Sequence, residues 1–389
     1  MRLWLLAAAL WGALMVGPAL AGDKEIAAIK AVFAPAGLDT SLFSDDFLKQ
    51  VPAAQITAVV GQIGPAIGPI VDVVPKGGPS YLVETATYEL PVDIVLDAGG
   101  KISGFFIHPP INKTASLDDL LKQMGAAAAQ SGYLVTKNGA EVASSNADKP
   151  LAVGSAYKLG ILKALKDEID AGTHKWDEVA TLAVGDKSLP TGQLQDWPAG
   201  SPVTLYSLAA LMISISDNTA ADALLRIVGR DKVEAALGIA PVLSTRELFV
   251  LKADAALKAK YVAADEAGKR AVLAEADAAP LPPVGSVGTP HDDGVEWYLS
   301  PTKLCELIGA VGGLDVTQIN PGAAQRTDWA KVSFKGGSEV GVLSAASQLT
   351  AKDGTVYCVA GIWNGPAALD ESSVIGAYSS VLHKLASGG

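Results

Sequence analysis

Three short motifs in the chain combine the residue types that covalent acyl-transfer chemistry uses. Residues 155–158 (SAYK) carry a hydroxyl and an amine three positions apart, so both side chains fall on one face of a helix, one turn apart. Residues 216–218 (SDN) add a second hydroxyl and an amide, and residues 335–337 (KGG) add a second amine. A serine whose proton can pass to a neighbouring amine is an activated nucleophile. The set therefore predicts a serine enzyme that forms a covalent intermediate.

Each motif taken alone also has a purely structural interpretation. SAYK can occur by chance, SDN is a good N-cap for the helix that follows it, and KGG can be an edge-strand lysine beside a bulge. The position of SAYK at a helix start favours chemistry, because unpaired N–H groups and the positive end of the helix dipole stabilise an oxyanion. The order of the three motifs along one chain is more specific than any one of them.

The surrounding sequence predicts the elements that must position these motifs. Helical periodicity covers residues 24–34 and 45–63, and β-rich runs follow to about residue 108. A second unit then begins after a Pro-Pro linker. Within it, helices fill the middle and strands come from both ends, which indicates one sheet built around a helical insertion. We therefore expect an α+β chain with a small helix-plus-antiparallel-sheet domain at 22–112 and a larger domain at 113–389.

The motifs and their order resemble those of the penicillin-recognising serine enzymes, and specifically of class A β-lactamases. The similarity covers roughly residues 115–389, where LAVGSAYKLGILKAL is similar to the family's nucleophile helix and MISISDNTAADALL to the loop of its helical domain. The resemblance implies a β-lactamase/transpeptidase-like fold, with an antiparallel sheet and an all-helical subdomain. It also implies roles for five residues: Ser155 as nucleophile, Lys158 as its base, Ser216 as proton relay, Asn218 as positioning group and Lys335 as the positive charge that attracts an anionic substrate.

The same resemblance implies an oxyanion hole formed by the backbone N–H groups of Ser155 and Ser338, with Gly336 and Gly337 beside it. The family usually has threonine where this chain has Gly336. The glycine removes a hydroxyl that would help to hold a substrate carboxylate, and Ser338 could partly substitute for it.

A second departure concerns the base that activates water for deacylation. Class A β-lactamases carry this glutamate in a Glu-x-x-x-Asn setting, and no such motif lies between Asn218 and Lys335. Glu247, in STRELFVLK, is the nearest candidate by position. The alternative is a structural glutamate on a helix surface, in a salt bridge with Arg246 or a neighbour.

The arrangement of domains resembles one branch of this superfamily more closely. In the β-lactamase-like esterases of clavulanic acid biosynthesis, the catalytic domain follows a small steroid-isomerase-like (cystatin/NTF2-like) domain. Residues 24–110 would be its counterpart, with FLKQVPAAQI and ISGFFIHPP as the stretches that support the likeness.

The amino-acid composition limits the classes of partner that we expect the chain to bind. The chain has 389 residues, with 30 basic and 41 acidic side chains and a net charge of −11, and no basic run interrupts that acidity. This balance argues against a nucleic acid or an anionic membrane surface as the main partner. The four histidines are scattered without ligand spacing, so we expect neither a metal nor an organic cofactor. Cys305 and Cys358 could form a disulfide or remain two buried thiols.

The first 21 residues are typical of a cleaved signal peptide. Arg2 precedes an apolar run at 3–16, and Ala19 and Ala21 have the small-x-small spacing that signal peptidase recognises. The run is shorter than the ~20 residues that a membrane span needs. We therefore expect export to the periplasm or the medium, with no stable membrane span.

The functional prediction is an exported serine acyl hydrolase that acts on a small, anionic ester, amide or β-lactam. Its activity would be ester hydrolysis, weak β-lactam hydrolysis or both. Two alternatives stay open at this point: a penicillin-binding DD-peptidase that acts on peptidoglycan, and a catalytically silent binding module.

Overall fold

A computed structural model describes residues 22–35, 37–287, 291 and 294–388. The expected signal peptide lies outside these residues. Two compact units are found, one formed by the described residues up to Lys122 together with those from Ser372, the other by Gln123–Glu371. The domain bounds of 22–112 and 113–389 stay a prediction.

The first unit consists of helices followed by an antiparallel sheet, as the sequence patterns predict. The strands pair in the order β1-β2-β3-β4, β5 pairs with β3, and the core includes Ile29, Phe43, Val83 and Ile94. Its helices are α1 (Asp23–Val32), α2 (Asp45–Gln50), α3 (Ala53–Ile67), α4 (Leu117–Ala126, which extends past Lys122) and α13 (Glu371–Ala386). Its strands are β1 (Ile70–Gly77), β2 (Ser80–Thr85), β3 (Tyr88–Leu96), β4 (Ile102–Ile107) and β5 (Ile111–Asn112).

The second unit is built on a five-stranded antiparallel sheet with the order β12-β13-β14-β6-β7. Strands β6 and β7 come from the start of the unit and the other three from its end, so the predicted closure of one sheet around a helical insertion is confirmed. The predicted hairpin turn between β6 and β7 is also present, since Asn138 and Gly139 both have positive φ. The mixed α+β class is thereby confirmed.

The strands of this unit are β6 (Gln130–Lys137), β7 (Ala140–Ser145), β8 (Leu151–Ala152), β9 (Val179–Thr181), β10 (Pro202–Thr204), β11 (Tyr298–Leu299), β12 (Lys331–Glu339), β13 (Val342–Thr350) and β14 (Val356–Asn364). Its helices are α5 (Lys158–Asp170), α6 (Leu205–Ser214), α7 (Asn218–Val228), α8 (Arg230–Leu237), α9 (Thr245–Ala253), α10 (Ala255–Ala263), α11 (Glu266–Ala278) and α12 (Pro301–Val311). A large apolar core surrounds α5, whose residues Leu159, Ile161 and Leu162 are completely buried.

Cys305 on α12 and Cys358 on β14 form a disulfide, with their Cα atoms 5.9 Å apart. Of the two alternatives that the sequence leaves open, the structure selects the bridge. None of the helices in the described part of the chain is both long and apolar enough to span a membrane.

Candidate active site

Ser155 lies in a tight 3-10 turn, Gly154–Tyr157, that leads directly into α5. The strand before the turn is anchored on both sides: Asn364 accepts a hydrogen bond from the Ala152 N–H and donates one to its carbonyl, each 2.9 Å long. The Val153 carbonyl accepts a bond from the Ser344 hydroxyl at 2.7 Å. These contacts hold the serine at a fixed place, half-buried at the start of the helix.

Lys158, the first residue of α5, is completely buried. Its Nζ donates to the Asn218 Oδ1 at 2.6 Å, to the Ser216 carbonyl at 2.7 Å and to the Ser216 Oγ at 3.1 Å. Burial lowers the pKa of Lys158 to about 7, against a smaller upward effect of Asp222 and Asp217. The side chain can therefore be neutral near pH 7 and accept a proton.

Ser216 places its hydroxyl between two amines. Its Oγ lies 3.1 Å from the Nζ of Lys158 and 3.0 Å from the Nζ of Lys335. Burial, and then repulsion from Lys158, hold the pKa of Lys335 well below its usual range. The backbone of Ser216 has a φ of +60°, a region that non-glycine residues rarely adopt. One hydroxyl in contact with both amines can pass a proton from one side of the site to the other.

A neighbouring loop holds the SDN segment in this unusual conformation, and the sequence interpretation missed it. The Thr191 hydroxyl donates to the Ser216 carbonyl at 2.7 Å, and the Thr191 carbonyl accepts from the Asn218 N–H at 3.0 Å. Asp217 accepts from the Gln193 N–H at 2.7 Å. A Cβ at Gly192 would lie 2.3 Å from Asp217, so only glycine fits there. These contacts join residues about 25 positions apart, and no local pattern signals them.

The edge strand β12 runs past the nucleophile turn at very close range. A Cβ added to Gly337 would lie 2.5 Å from the Ser155 nitrogen, and one added to Gly154 would lie 3.4 Å from the Ser338 nitrogen. The structure therefore brings together the two backbone N–H groups named for the oxyanion hole. Among the described residues, β13 is the one strand that pairs with β12, so the other edge of β12 can receive an extended substrate.

The missing threonine hydroxyl at position 336 has a steric cause. A Cβ at Gly336 would lie 2.9 Å from the Phe334 ring and 3.0 Å from the Ser344 carbonyl. A threonine would force the Phe334 ring aside. Ser338 is exposed on the same strand and is the nearest hydroxyl in sequence to replace it.

Glu247 is buried and firmly bound elsewhere. Its Oε1 accepts from Arg230 at 2.7 Å, and its Oε2 accepts from Arg230 at 2.9 Å and from the Ser244 N–H at 2.7 Å, which closes a capping box at the start of α9. The salt bridge of the structural alternative thus exists, but with Arg230 rather than Arg246, and in the interior rather than on a helix surface. None of the hydrogen bonds described for Glu247 reaches Ser155, Lys158 or Ser216.

Asp222 is the buried carboxyl group that acts most strongly on Lys158 through space. It accepts the N–H groups of Thr245 at 2.7 Å and Arg246 at 2.8 Å. Burial nevertheless raises the pKa of Asp222 to about 7. In the described part of the chain, no cluster of three His, Cys, Asp or Glu side chains is arranged to hold a metal ion.

Comparison with known proteins agrees with the fold. The model of the Beta-lactamase2 family, described as a β-lactamase enzyme family, matches residues 112–269, which include SAYK and SDN and end before Lys335. No curated protein sequence matches the chain. A reconstructed class A β-lactamase of the last common ancestor of Gram-negative bacteria has a TM-score of 0.50 at 14% identity, over 70% of this chain and 100% of the other.

Two further structures are similar at comparable levels. A β-lactamase from Sphaerobacter thermophilus has a TM-score of 0.49 and 19% identity over 71% of this chain and 99% of its own. PBP-A has a TM-score of 0.48 and 17% identity over 70% and 96%. The TM-score of 0.50 to the ancestral class A β-lactamase indicates a β-lactamase-like fold for this chain. The family model matches residues 112–269, which is less than half of the chain.

Proposed function

We propose that the protein is an exported serine hydrolase that cleaves small ester, amide or β-lactam substrates through an acyl-enzyme on Ser155. One observation carries this proposal: the Ser216 Oγ lies within 3.1 Å of two buried lysine amines, one of which starts the helix that follows Ser155. This arrangement provides a base (Lys158), a relay (Ser216) and a second amine (Lys335) for the reaction of Ser155. Ester hydrolysis is the activity that we favour, in line with the resemblance to the esterases of clavulanic acid biosynthesis.

During acylation, the residues of the site act one after another. Neutral Lys158 accepts the proton of the Ser155 hydroxyl while Oγ bonds to the carbonyl carbon of the substrate. The N–H groups of Ser155 and Ser338 stabilise the oxyanion, and losing one such donor typically costs about 3 kcal/mol at the transition state. The bond between the acyl carbon and the leaving group then breaks, and the proton passes from Lys158 through the Ser216 hydroxyl to the leaving group. No step of this sequence requires a metal ion.

The amines of Lys158 and Lys335 favour a substrate that carries a negative charge. Lys335 is buried and donates to two neutral oxygens, the Ser216 Oγ and the Gly336 carbonyl, so an anionic group of the substrate beside it would stabilise its protonated form. Gly336 offers no hydroxyl for that group. We therefore expect weaker binding of a substrate carboxylate than a threonine at this position would give.

Export is supported by two independent features. The first 21 residues have the pattern of a cleaved signal peptide. The Cys305–Cys358 disulfide is of a kind that persists in oxidising compartments. We therefore propose that the mature protein acts in the periplasm or the medium.

Intact-mass spectrometry tests this function directly. The protein is incubated with penicillins, cephalosporins and short acyl esters, and the mass of the acyl group is looked for on the intact chain. We expect adducts with all three classes, slow loss of the penicillin adduct and rapid turnover of short esters. Absence of any adduct and of turnover would favour a silent binding module, whereas release of D-alanine from a stem-peptide mimic would favour a DD-peptidase.

A further inference from the structure

A third buried lysine, Lys252 on α9, lies between two carboxyl groups. Its side chain is 1% exposed, and its Nζ donates to the Glu339 Oε2 at 2.5 Å and to the Glu296 Oε1. Glu339 ends β12, and Glu296 precedes β11. The glutamates are separated by more than forty residues, and the lysine joins them from a third segment. We call these three side chains the Lys252 cluster.

The Lys252 cluster adjoins the nucleophile turn on the side of β12. Successive strand residues alternate between faces, so Lys335, Gly337 and Glu339 share one face. Lys335 on that face reaches the Ser216 hydroxyl, and Gly337 lies against the Ser155 nitrogen. Glu339 is two residues further along, about 7 Å at the normal strand rise. Pairing with β13 is regular there, so no bulge turns Glu339 away.

Glu296 approaches the same turn from another direction. The next residue, Trp297, accepts a hydrogen bond from the Val153 N–H at 3.0 Å. Its indole stacks on the Tyr157 ring, with the ring centroids 3.9 Å apart. The residues on either side of Ser155 are therefore in contact with the segment that carries Glu296.

The two glutamates of the cluster differ in how deeply their side chains are buried. Glu296 is completely buried, and its Oε2 has no hydrogen-bond partner within the described residues. Burial, and then the negative charge of Glu339, raise the pKa of Glu296 well above its usual range. Burial would lower the pKa of Lys252, but the two carboxyl groups outweigh it and the pKa is raised. Protonation of Glu296 beside the Lys252 ammonium is therefore favoured, and Glu339 is the carboxyl group of the cluster that solvent reaches, with its side chain 22% exposed.

We propose that Glu339 is the base that activates water for hydrolysis of the acyl-enzyme, with Lys252 and Glu296 as positioning residues that fix its carboxylate. This rests on the proposed function. The water oxygen bonds to the acyl carbon while Glu339 takes one water proton. The bond between the acyl carbon and the Ser155 Oγ then breaks, the proton passes from Glu339 to Oγ, and the free acid leaves. Nothing beyond water is consumed.

The Glu-x-x-x-Asn motif is missing between Asn218 and Lys335, where Glu247 is the candidate by position. Glu339 lies outside that stretch, because it follows Lys335 on the strand. Of the two carboxyl groups in the cluster, Glu339 alone has access to solvent, with a side chain 22% exposed against 0% for Glu296. A base needs that access, since it must reach the attacking water.

The test separates acylation from deacylation in the full mature chain with p-nitrophenyl acetate. In stopped-flow traces the burst reports acylation, and the steady phase reports deacylation when that step limits turnover. Glu339→Gln should keep the burst rate within about threefold and slow the steady phase by about 10²–10⁴-fold, the range typical of a lost general base. Acyl-enzyme should then accumulate in intact-mass spectra.

The matched control is Glu275→Gln on α11, which removes the same charge from an exposed side chain and should change neither phase. Glu296→Ala should slow the steady phase, and Glu296→Gln, which keeps an uncharged side chain that can accept from Lys252, should restore it. Glu339→Asp, which keeps the carboxylate, should retain more deacylation than Glu339→Gln even if both variants are less stable.

The outcomes are distinct. A steady phase at the wild-type rate in folded Glu339→Gln overturns the assignment of the base. Equal slowing of both phases shows a structural role and also overturns it. A wild-type protein that gives no burst and no adduct overturns the proposed function itself.

Discussion

Lys158, Lys252 and Lys335 are all buried in the second unit, and the pKa values of Lys158 and Lys252 are shifted in opposite directions. Lys158 is surrounded by neutral oxygens from Ser216 and Asn218, and its pKa falls to about 7. Lys252 contacts the carboxyl groups of Glu296 and Glu339, and its pKa rises. Both amines have their hydrogen bonds satisfied. What differs is the charge of the acceptors, and that difference decides which lysine can serve as a base.

Replacing the nucleophile should have the largest effect on activity. The low pKa of Lys158 matters for catalysis only if Ser155 is the group that reacts. Ser155→Ala should lose all covalent labelling by a fluorescent penicillin and all ester hydrolysis. The thermal transition should stay within a few degrees of wild type, since the side chain is only half-buried. Undiminished labelling of this variant would contradict the assignment.

Removal of the Lys158 side chain should have the next largest effect on activity. Lys158→Ala should lower the acylation rate by about 10²–10⁴-fold, because the proton of Ser155 then has no base. The burst phase with p-nitrophenyl acetate measures this rate. Lys260→Ala, at an exposed lysine on α10, is the control and should leave the burst unchanged.

A carboxylate placed beside Lys158 should raise the pKa of Lys158, as Glu296 and Glu339 raise the pKa of Lys252. The wild-type acylation rate should rise as pH increases through about 7, because deprotonated Lys158 is the active form. Asn218→Asp puts a negative charge 2.6 Å from that amine and should move the midpoint up by at least one pH unit, a loss of at least about fivefold at pH 7. Asn218→Leu, which adds no charge, should not raise the midpoint. Equal midpoints for Asn218→Asp and wild type would show that acceptor charge does not control Lys158.

Glu247→Gln should have the smallest effect on activity. Both carboxylate oxygens are bound to Arg230, so we expect ester turnover within about twofold of wild type. Loss of the buried charge should lower the melting temperature by a few degrees, because Arg230 is left without its partner. Rapid penicillin hydrolysis in the wild type that collapses in this variant would make Glu247 the deacylation base and leave no role for Glu339.

Sequence patterns were sufficient for the α+β class, the closure of the second sheet and the three motifs. They were insufficient for Thr191, which supports the SDN segment from a distant loop, and for the two lysine environments. Lys158 and Lys252 both lie in amphipathic helical stretches, and nothing local distinguishes them. Their difference depends on Glu296 and Glu339, which only the folded chain brings to one place. Long-range electrostatics was the missing information.

The positive φ of Ser216 has a consequence for how such a protein diverges. A side chain held in the left-handed region costs about 1–3 kcal/mol, and glycine would relieve most of that cost. Selection for chemistry keeps the serine, whereas selection for stability alone opposes it. In a duplicated copy freed from its reaction, this position should therefore be among the first to drift to glycine. A glycine at 216 beside an intact Ser155 would mark a lineage that has kept the fold and lost the reaction.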